Sequence, residues 1–507
     1  MAPPNVITIV SDTLRPDHLG FNQRAGVKRT PPPLAAMGEG REPGAWIDTP
    51  NLDRFAARAV CFDQAYCGSF PTIPMRTDLL TGRYTFVSRG WTPLPAEEIT
   101  LAHLLAEAGY VTQLIADTGH LFRANFHQAF SAWDWLRGQE GDRLVPQRTP
   151  VRYPCDPHKL RADRGTPLCE QQLRNQGALR YEREWSVARA CESACDWLEA
   201  HHRTEAPFFL HLDLFDPHEA WLAPPWYTRR YDPAYEGQAV IAPDYAVCDF
   251  LSDRELQHAR ALYAAEVTLV DRWLGRVFDK IDDLGLFADT AVFLLSDHGF
   301  CIGEHGLTGK HGIKPYHTWP FYPVVSNILC LARVPDTPSR LEGSRHAGLV
   351  QPVDVVPTVL AATGIRPPAE PALHGQSFAP ALNEGALTSG KRRVAVTSGA
   401  LPVHPDEPVH STITDGRWAL TVAGPRRAPV LWDQTAPAPL STAGSVEAQN
   451  LLSHHPEVAA RLHAAYVEVL QEAGTAAEKL ALRATLHSGA PIPATAIVPP
   501  ERSSGRP

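Results

Sequence analysis

Apolar and polar residues form two kinds of alternating segment in the chain up to about residue 380. Short runs rich in Val, Ile, Leu and Phe end abruptly at polar residues, as is typical of strands buried on both faces of a sheet. These runs cover residues 5–10, 109–115, 207–213 and 290–296. Segments with helical character lie between them, at residues 49–55, 101–108, 182–202 and 253–284. Strands that alternate with helices predict an α/β fold, with a large, mostly parallel sheet flanked by helices.

The pattern changes near residue 385. Strand-like pieces at 393–398, 410–414 and 418–422 precede one helix at 456–473, which predicts a smaller C-terminal α+β subdomain. We therefore divide the chain into an α/β domain at residues 1–385, a C-terminal subdomain at 386–480 and a flexible tail at 481–507.

The sequence also predicts the local structure of two further segments and of one helix N-terminus. Residues 20–46 are predicted to form an irregular loop, and the aperiodic, Arg-rich residues 138–180 are predicted to be an insertion. Thr49, which opens the segment 49–55, predicts an N-capped helix.

Composition excludes several classes of protein. Hydrophobic residues make up 44% and charged residues 20%, which indicates a globular chain with a sizeable core. The net charge of −9 argues against a nucleic-acid-binding surface. We expect no membrane partner, because no apolar run is long enough to span a bilayer. Nine cysteines without C-x-x-C spacing, and no recognisable export signal, favour reduced thiols in a cytoplasmic protein. A homo-oligomer remains open.

Polar residues of related chemistry follow several of the predicted strands. They are Asp12, Asp216 with His218, and Asp297 with His298, and a further segment contributes Thr72 and Arg76. Because the carboxyl ends of parallel strands meet at one edge of a sheet, we expect these side chains to lie together. Each alone also suits a turn, a cap or a place in the core. As a set they combine metal ligands, a hydroxyl nucleophile and a cation, which suits a small anionic ester substrate.

The order of these motifs resembles the sulfatase branch of the alkaline phosphatase superfamily. The resemblance spans about residues 4–470 and rests on Asp12, Thr49-Pro-Asn-Leu-Asp-Arg54, the segment from Thr72 to Arg83, Asp216-Pro-His218, residues 296–307, Lys310 and the closing segments 431–433 and 450–456. It implies an alkaline phosphatase-like fold and a metal-dependent ester hydrolase.

The position of the nucleophile departs from the family pattern. In sulfatases a Cys or Ser stands two residues before a Pro and four before an Arg, and Pro74 and Arg76 place Thr72 there. Sulfatases oxidise this Cys or Ser to formylglycine, whereas the β-methyl of Thr would give a ketone. The resemblance therefore implies direct attack by Thr72 and a phospho-threonine intermediate, as in phosphoryl-transfer members of the superfamily. Thr72 would equally suit a helix N-cap.

The resemblance also implies the metal ligands Asp12, Thr72, Asp297 and His298. Calcium sulfatases usually have two successive Asp after the first strand and Asp-Asn at the later one, where this chain has Asp12-Thr13 and Asp297-His298. An imidazole ligand favours one Mn²⁺ or Zn²⁺ over Ca²⁺. A second metal remains open, and its candidate ligands are Asp216, His218, His305 and His311.

The remaining site residues have roles implied by the same family. Arg76 would orient the nucleophile and neutralise the ester anion, Lys310 would bind that anion, and His218 or His120 would act as general acid. The Lys that sulfatases carry near the position of His120 is absent here.

The expected reaction is cleavage of a phosphate diester or a phosphonate monoester. Three alternatives stay open: a sulfatase that uses direct Thr attack, a phosphotransferase, and an inactive sulfatase-like binding protein.

Overall fold

The computed structural model describes residues 3–24, 47–310, 319–335, 337–385, 392–404, 407, 409–423, 428–435 and 450–486. Its strands are β1 (Asn5–Ser11), β2 (Val60–Ala65), β3 (Val111–Ala116), β4 (Ala132–Trp135), β5 (Ala162–Asp163), β6 (Thr166–Pro167), β7 (Phe208–Leu214), β8 (Ala246–Val247), β9 (Thr290–Ser296), β10 (Cys301–Ile302), β11 (Leu307–Gly309), β12 (Cys330–Arg333), β13 (Arg345–Val350), β14 (Ala395–Ser398), β15 (Ser411–Thr414), β16 (Trp418–Val422) and β17 (Val430–Asp433).

Its α-helices are α1 (Gly20–Arg24), α2 (Pro50–Ala56), α3 (Thr72–Thr81), α4 (Leu101–Glu107), α5 (Gly119–Arg123), α6 (Glu170–Gln176), α7 (Ser186–His201), α8 (Pro225–Tyr231), α9 (Asp253–Asp283), α10 (Pro323–Ser326), α11 (Val355–Thr363), α12 (Ala379–Asn383), α13 (Pro456–Glu472) and α14 (Ala477–Ala481). None of the described helices is long and apolar enough to cross a membrane.

One large sheet organises the molecule. It has eight strands in the order β13-β2-β12-β9-β1-β7-β3-β4, and β12 runs antiparallel to both of its neighbours while the others share one direction. Every residue of β7 and β9 is buried, because helices cover the sheet. The predicted fold class, a mostly parallel α/β sheet with a smaller C-terminal subdomain, is confirmed.

The register of β1 against β7 and β9 aligns the carboxyl ends of these strands at one edge of the sheet. Ser11 of β1 lies opposite Ser296 of β9, and Val10 lies opposite Asp213 of β7. Asp12 and Asp297 are therefore the next residues of two adjacent parallel strands. The side chains that follow these strands must meet at one place.

The C-terminal subdomain is a four-stranded antiparallel sheet, β14-β15-β16-β17, against which α13 packs around its own apolar cluster. It also contacts the segment that precedes α3. Phe70 N donates to Ser398 O at 2.9 Å, and Ser398 N donates to Gly68 O at 3.0 Å. The end of β14 therefore holds the backbone just ahead of Thr72.

Local expectations differ from the structure in three places. Thr49 occupies the N-cap position of α2, but its hydroxyl makes no capping bond: it accepts from Gly20 N and donates to Asp53. Part of the predicted loop at 20–46 is α1, and the predicted insertion contains α6. The tail beyond residue 486 lies outside the described residues, and the domain boundaries stay a prediction.

Candidate active site

Three buried side chains meet at the carboxyl edge of the sheet. Asp12 follows β1, and Asp297 and His298 follow β9. Each of them offers one ligand atom, and these atoms lie within 4.8 Å of one another. Thr13 N donates to Asp297 Oδ1 at 2.9 Å, which ties the two loops together. Two carboxylates and one imidazole form a partial ligand set for a divalent metal.

Unsatisfied atoms in this group fit a bound cation. Asp12 Oδ1 and Thr13 Oγ1 are buried, and neither has a hydrogen-bond partner among the described residues. His298 directs Nδ1 to the Gly299 carbonyl at 3.1 Å, which leaves Nε2 3.4 Å from Asp297 Oδ2 and 3.9 Å from Asp12 Oδ1. A backbone acceptor on the second ring nitrogen is the usual way in which a ligating histidine is oriented.

The pKa values of these three side chains also fit a metal site. Burial raises the pKa of Asp12, and the adjacent charge of Asp297 raises it further. Burial lowers the pKa of His298 to about 3, so its imidazole is neutral, as a metal ligand requires. Burial would raise the pKa of Asp297, but His298 and Arg76 hold it below its ordinary value. Two neighbouring carboxylates of this kind favour a cation between them.

Arg76, on α3, is completely buried and contacts three carboxylates. Its Nε and Nη2 donate to the two oxygens of Asp213 at 2.7 and 2.9 Å. Its Nη1 donates to Asp297 Oδ2 at 2.8 Å, to Asp12 Oδ2 at 3.3 Å and to the Thr72 carbonyl at 3.3 Å. These bonds engage all three nitrogens of the guanidinium. In this geometry Arg76 holds the metal-site carboxylates and the start of α3, and its expected role toward the ester anion stays a prediction.

Asp213 is a site residue that the sequence reasoning missed. It lies on β7, and His211 Nε2 on the same strand is 3.5 Å from its Oδ2. His211 Nδ1 in turn pairs with Thr8 Oγ1 at 2.7 Å. A signal was present, because a charged residue inside a buried strand needs a partner.

Thr72 is the first residue of α3 and is buried. Pro71, not Thr72, occupies the N-cap position, so the alternative role of Thr72 as an N-cap residue is not seen. The Thr72 carbonyl shares Arg76 Nη1 with Asp12 and Asp297. The structure thus brings the start of α3 to the carboxylate group.

Lys310 and His218 form a second buried group beside the first. Lys310 Nζ donates to His218 Nε2 at 2.9 Å and to His298 Nε2 at 3.2 Å. His218 Nδ1 donates to the Glu219 carbonyl at 2.6 Å. Burial, followed by the charges of Lys310 and Arg161, lowers the pKa of His218 well below its ordinary value. His218 is therefore a neutral acceptor for the ammonium group.

His120, on α5, lies at a more open place. Its side chain is 18% exposed and its Nε2 pairs with the carboxylate of Glu140. Its ring contacts Trp91 edge-on at 5.2 Å and lies 5.7 Å from Phe215, which stacks on His218. The aromatic contacts through Phe215 connect His120 with the Lys310 group.

Among the described candidates for a second metal, Asp216, His218 and His305 do not form a ligand group of at least three side chains. Asp216 accepts from Gln139 Nε2 at 2.7 Å, and the ring of His305 stacks on Tyr322 at 3.7 Å. His311 lies outside the described residues. Within the described ranges, Asp12, Asp297 and His298 form the one group of at least three such side chains that could hold a metal ion.

Comparison with known proteins places this arrangement in a family. Residues 4–365 match the family model described as Sulfatase. The multifunctional alkaline phosphatase superfamily protein PehA of Trinickia caryophylli is 26% identical over 479 residues, an alignment that covers 81% of this chain and 83% of PehA. Iduronate 2-sulfatase of Mus musculus is 24% identical over 433 residues, covering 72% of this chain and 69% of the relative.

Solved structures show the same fold. The phosphonate monoester hydrolase of Agrobacterium radiobacter superposes with a TM-score of 0.68 at 19% identity, covering 93% of this chain and 96% of the other. The phosphonate monoester hydrolase SpPMH from Silicibacter pomeroyi gives 0.65 at 19% identity, covering 94% and 97%. With the family-model match over most of its length, this chain belongs to the sulfatase family, hydrolases of the alkaline phosphatase superfamily that use a divalent metal.

Proposed function

We propose that this hydrolase cleaves a phosphate diester or a phosphonate monoester in a metal-dependent reaction, with Thr72 as the nucleophile. One observation carries the proposal. Thr72 begins α3 at the position where the family has its nucleophile, and its backbone shares Arg76 Nη1 with Asp12 and Asp297. Its side chain cannot become the formylglycine aldehyde of sulfatases, but its hydroxyl can attack phosphorus directly.

Charge in the site suits a substrate with a single negative charge. The guanidinium of Arg76 is matched by Asp12, Asp213 and Asp297. The ammonium of Lys310 contacts two imidazole nitrogens, and its charge remains available to an ester oxygen. Phosphate diesters and phosphonate monoesters are monoanions, whereas a phosphate monoester carries a charge of about −1.5 to −2 at neutral pH.

The contacts of the two histidines favour one of them as the general acid. His218 accepts from Lys310 at Nε2 and has a strongly lowered pKa, so it carries no proton to give at neutral pH from that nitrogen. His120 pairs with a carboxylate and is partly exposed. We therefore assign proton donation to His120 and the orientation of Lys310 to His218.

The steps performed by the chain's own residues follow from this assignment. Thr72 gives its hydroxyl proton to solvent, and its oxygen forms a bond to phosphorus. The bond from phosphorus to the leaving oxygen breaks, and that oxygen keeps the electron pair and takes a proton from His120. Water then attacks phosphorus and gives a proton to His120, and the Thr72 oxygen leaves and is reprotonated. A divalent metal held by Asp12, Asp297 and His298 would supply the positive charge that favours the Thr72 alkoxide.

A panel of p-nitrophenyl esters tests the proposal. Purified protein of known metal content is assayed on the phosphate, the bis-phosphate diester, the phenylphosphonate and the sulfate. We expect turnover of the diester or the phosphonate to fall at least about 10³-fold in Thr72→Ala and to persist in part in Thr72→Ser.

The matched control is Thr77→Val on the same helix. The Thr77 hydroxyl bonds only the Ile73 carbonyl among the contacts described, so this variant should keep its activity. Acid quenching should trap a phosphoryl or phosphonyl adduct on Thr72. Unchanged turnover in Thr72→Ala would refute the proposal.

Hydrolysis of a sulfate ester is the second candidate, because a sulfate monoester is also a monoanion and the relatives include iduronate 2-sulfatase. Thr72→Cys, co-produced with a formylglycine-generating enzyme, separates the two. A pocket that fits sulfate should gain sulfatase activity in this variant. A pocket that fits phosphorus esters should lose its activity without that gain.

A further inference from the structure

The more open side of the site includes His120 of α5 and Glu140 of the segment 138–180. Asp12, Asp297 and His298 are inaccessible to solvent, whereas the side chains of His120 and Glu140 are 18% and 22% exposed. The exposed ring of Trp91 lies against His120 on this side. A leaving group that must reach solvent would occupy this side, next to His120.

Glu140 holds one nitrogen of the His120 ring. Its carboxylate pairs with Nε2, and no hydrogen-bond partner of Nδ1 appears in the described part of the chain. Glu140 has a φ of 49°, a left-handed conformation that a non-glycine residue rarely adopts without support. The backbone at Glu140 therefore depends on support from its surroundings.

Hydrogen bonds of the residues on both sides of Glu140 hold the turn that carries it. Asp142 accepts from Gly138 N at 2.8 Å and from Arg137 Nε at 2.7 Å, which closes the turn. Asn175 of α6 donates to the carbonyls of Gly138 and Asp142, at 2.7 Å each. The turn is fastened to a helix of the same inserted segment.

Arg161 joins the two histidines of the site through carboxylates. Its Nη2 lies 3.6 Å from Glu140 Oε1, and its Nη1 lies 2.9 Å from Glu219 Oε1. Glu219 Oε2 lies 3.2 Å from His218 Nδ1. Imidazole, carboxylate, guanidinium, carboxylate and imidazole thus alternate from His120 to His218. Arg161 thus places a cation beside the carboxylate that pairs with His120.

The Glu140 carboxylate is ionised at neutral pH. Burial would raise its pKa, but His120, Arg161 and Lys310 lower it to about 2. A carboxylate that stays ionised can stabilise His120 when the imidazole carries two protons.

We infer that Glu140 and Arg161 are positioning residues for the leaving-group proton transfer, an inference that rests on the proposed function. Glu140 keeps the Nε2–H of His120 in a fixed hydrogen bond, so that Nδ1 presents the transferred proton to the leaving oxygen. Arg161 fixes Glu140. The bond from phosphorus to that oxygen breaks as the proton arrives, and the neutral imidazole retains its proton on Nε2.

Leaving-group dependence tests the inference. A good leaving group such as p-nitrophenolate needs little protonation, whereas phenol and a simple alcohol depend on it. We expect Glu140→Gln and Arg161→Met to lower kcat on the p-nitrophenyl diester less than about 10-fold, and on the phenyl and alkyl diesters by about 10²–10⁴-fold. Arg161→Lys should restore part of the loss.

The matched control is Glu199→Gln, which removes the carboxylate of an exposed pair with Lys280 on the surface. It should change no rate. An equal loss on all esters in Glu140→Gln would overturn the inference while the proposed function stands. A wild-type protein that hydrolyses none of the esters would instead refute the proposed function and this inference with it.

A spectroscopic measurement checks the geometry without turnover. A carboxylate-bonded imidazole N–H gives a low-field proton resonance. We expect this resonance in Thr72→Ala, which keeps both His120 and Glu140, and its loss when Glu140→Gln or His120→Asn is added. A resonance that persists in the Glu140→Gln background would show that another group holds His120, and would overturn the inference.

Discussion

Replacing Asp213 with Asn removes a charge from beside Arg76, a buried cation that contacts three carboxylates. Arg76 makes five short contacts, and two of them, at 2.7 and 2.9 Å, go to Asp213. Both side chains are inaccessible to solvent, so water cannot replace the lost partner. The amide of Asn would also turn a donor toward the guanidinium.

These contacts determine the size of the expected loss in stability. Each charge-assisted hydrogen bond contributes about 1.5–3 kcal/mol, and breaking a buried pair from one side costs about 3–5 kcal/mol. We expect Asp213→Asn to lower the free energy of unfolding by about 3–5 kcal/mol. Because Arg76 also holds Asp12 and Asp297, metal affinity should fall about 10- to 100-fold.

Urea unfolding followed by Trp fluorescence, in the presence of a chelator, measures the stability term without the contribution of bound metal. Metal titration of the folded protein measures the second effect. Asp279→Asn is the control, because Asp279 pairs with Arg54 at a similar 2.7 Å but both side chains are more than half exposed. That variant should unfold like the wild type. A loss below about 1 kcal/mol in Asp213→Asn would refute the idea that Arg76 depends on this carboxylate.

Three further predictions concern the metal site and pH. His298→Ala should lose bound Mn²⁺ or Zn²⁺ in elemental analysis, and chelation of the wild type should abolish activity that the metal restores. Gly299→Ala should lower metal affinity, because a Cβ at Gly299 would stand 1.9 Å from the Val324 carbonyl and displace the loop that carries His298; Gly177→Ala, with ordinary contacts of 3.5 Å, should not. Burial raises the pKa of Asp78 from 3.8 to about 7. Its contribution to stability is therefore fully present below about pH 3.8 and is lost, by about 1.4 kcal/mol per unit, as pH rises from there to about 7. Unfolding free energies at pH 5 and pH 7 should diverge less in Asp78→Asn, and an unchanged slope would contradict this assignment.

Local pattern predicted the main elements well where burial and periodicity agree. The predicted strand at 290–296 is β9 and the predicted helix at 253–284 is α9, which ends one residue earlier. The gathering of Asp12 with Asp297 and His298 also followed, because parallel strands bring their carboxyl ends together. The capping role expected for Thr49 was wrong, since tertiary contacts with Gly20 occupy its hydroxyl.

The site residues that the sequence did not identify are those paired with residues distant in the chain. Asp213 was read as part of an apolar strand, although its charge inside that strand demanded a partner. Glu140 and Arg161 lie in an aperiodic stretch and meet His120 or Glu219 across 20 or more positions. Residue type and spacing carry no record of such a pairing, because it is formed only when residues 138–180 fold against the rest of the chain.

The hydrogen bonds from β14 to the segment before α3 link the C-terminal sheet to the site. Removing the chain beyond residue 385 would leave Gly68 O and Phe70 N without their partner on Ser398, and the Cys67 carbonyl without the Thr397 hydroxyl. The backbone that leads into Thr72 would then be free to fray. A shortened protein of this kind would keep the large sheet but lose the backbone hydrogen bonds that hold the segment before Thr72. Exchange of this sheet between relatives is consequently expected to change the reaction rate.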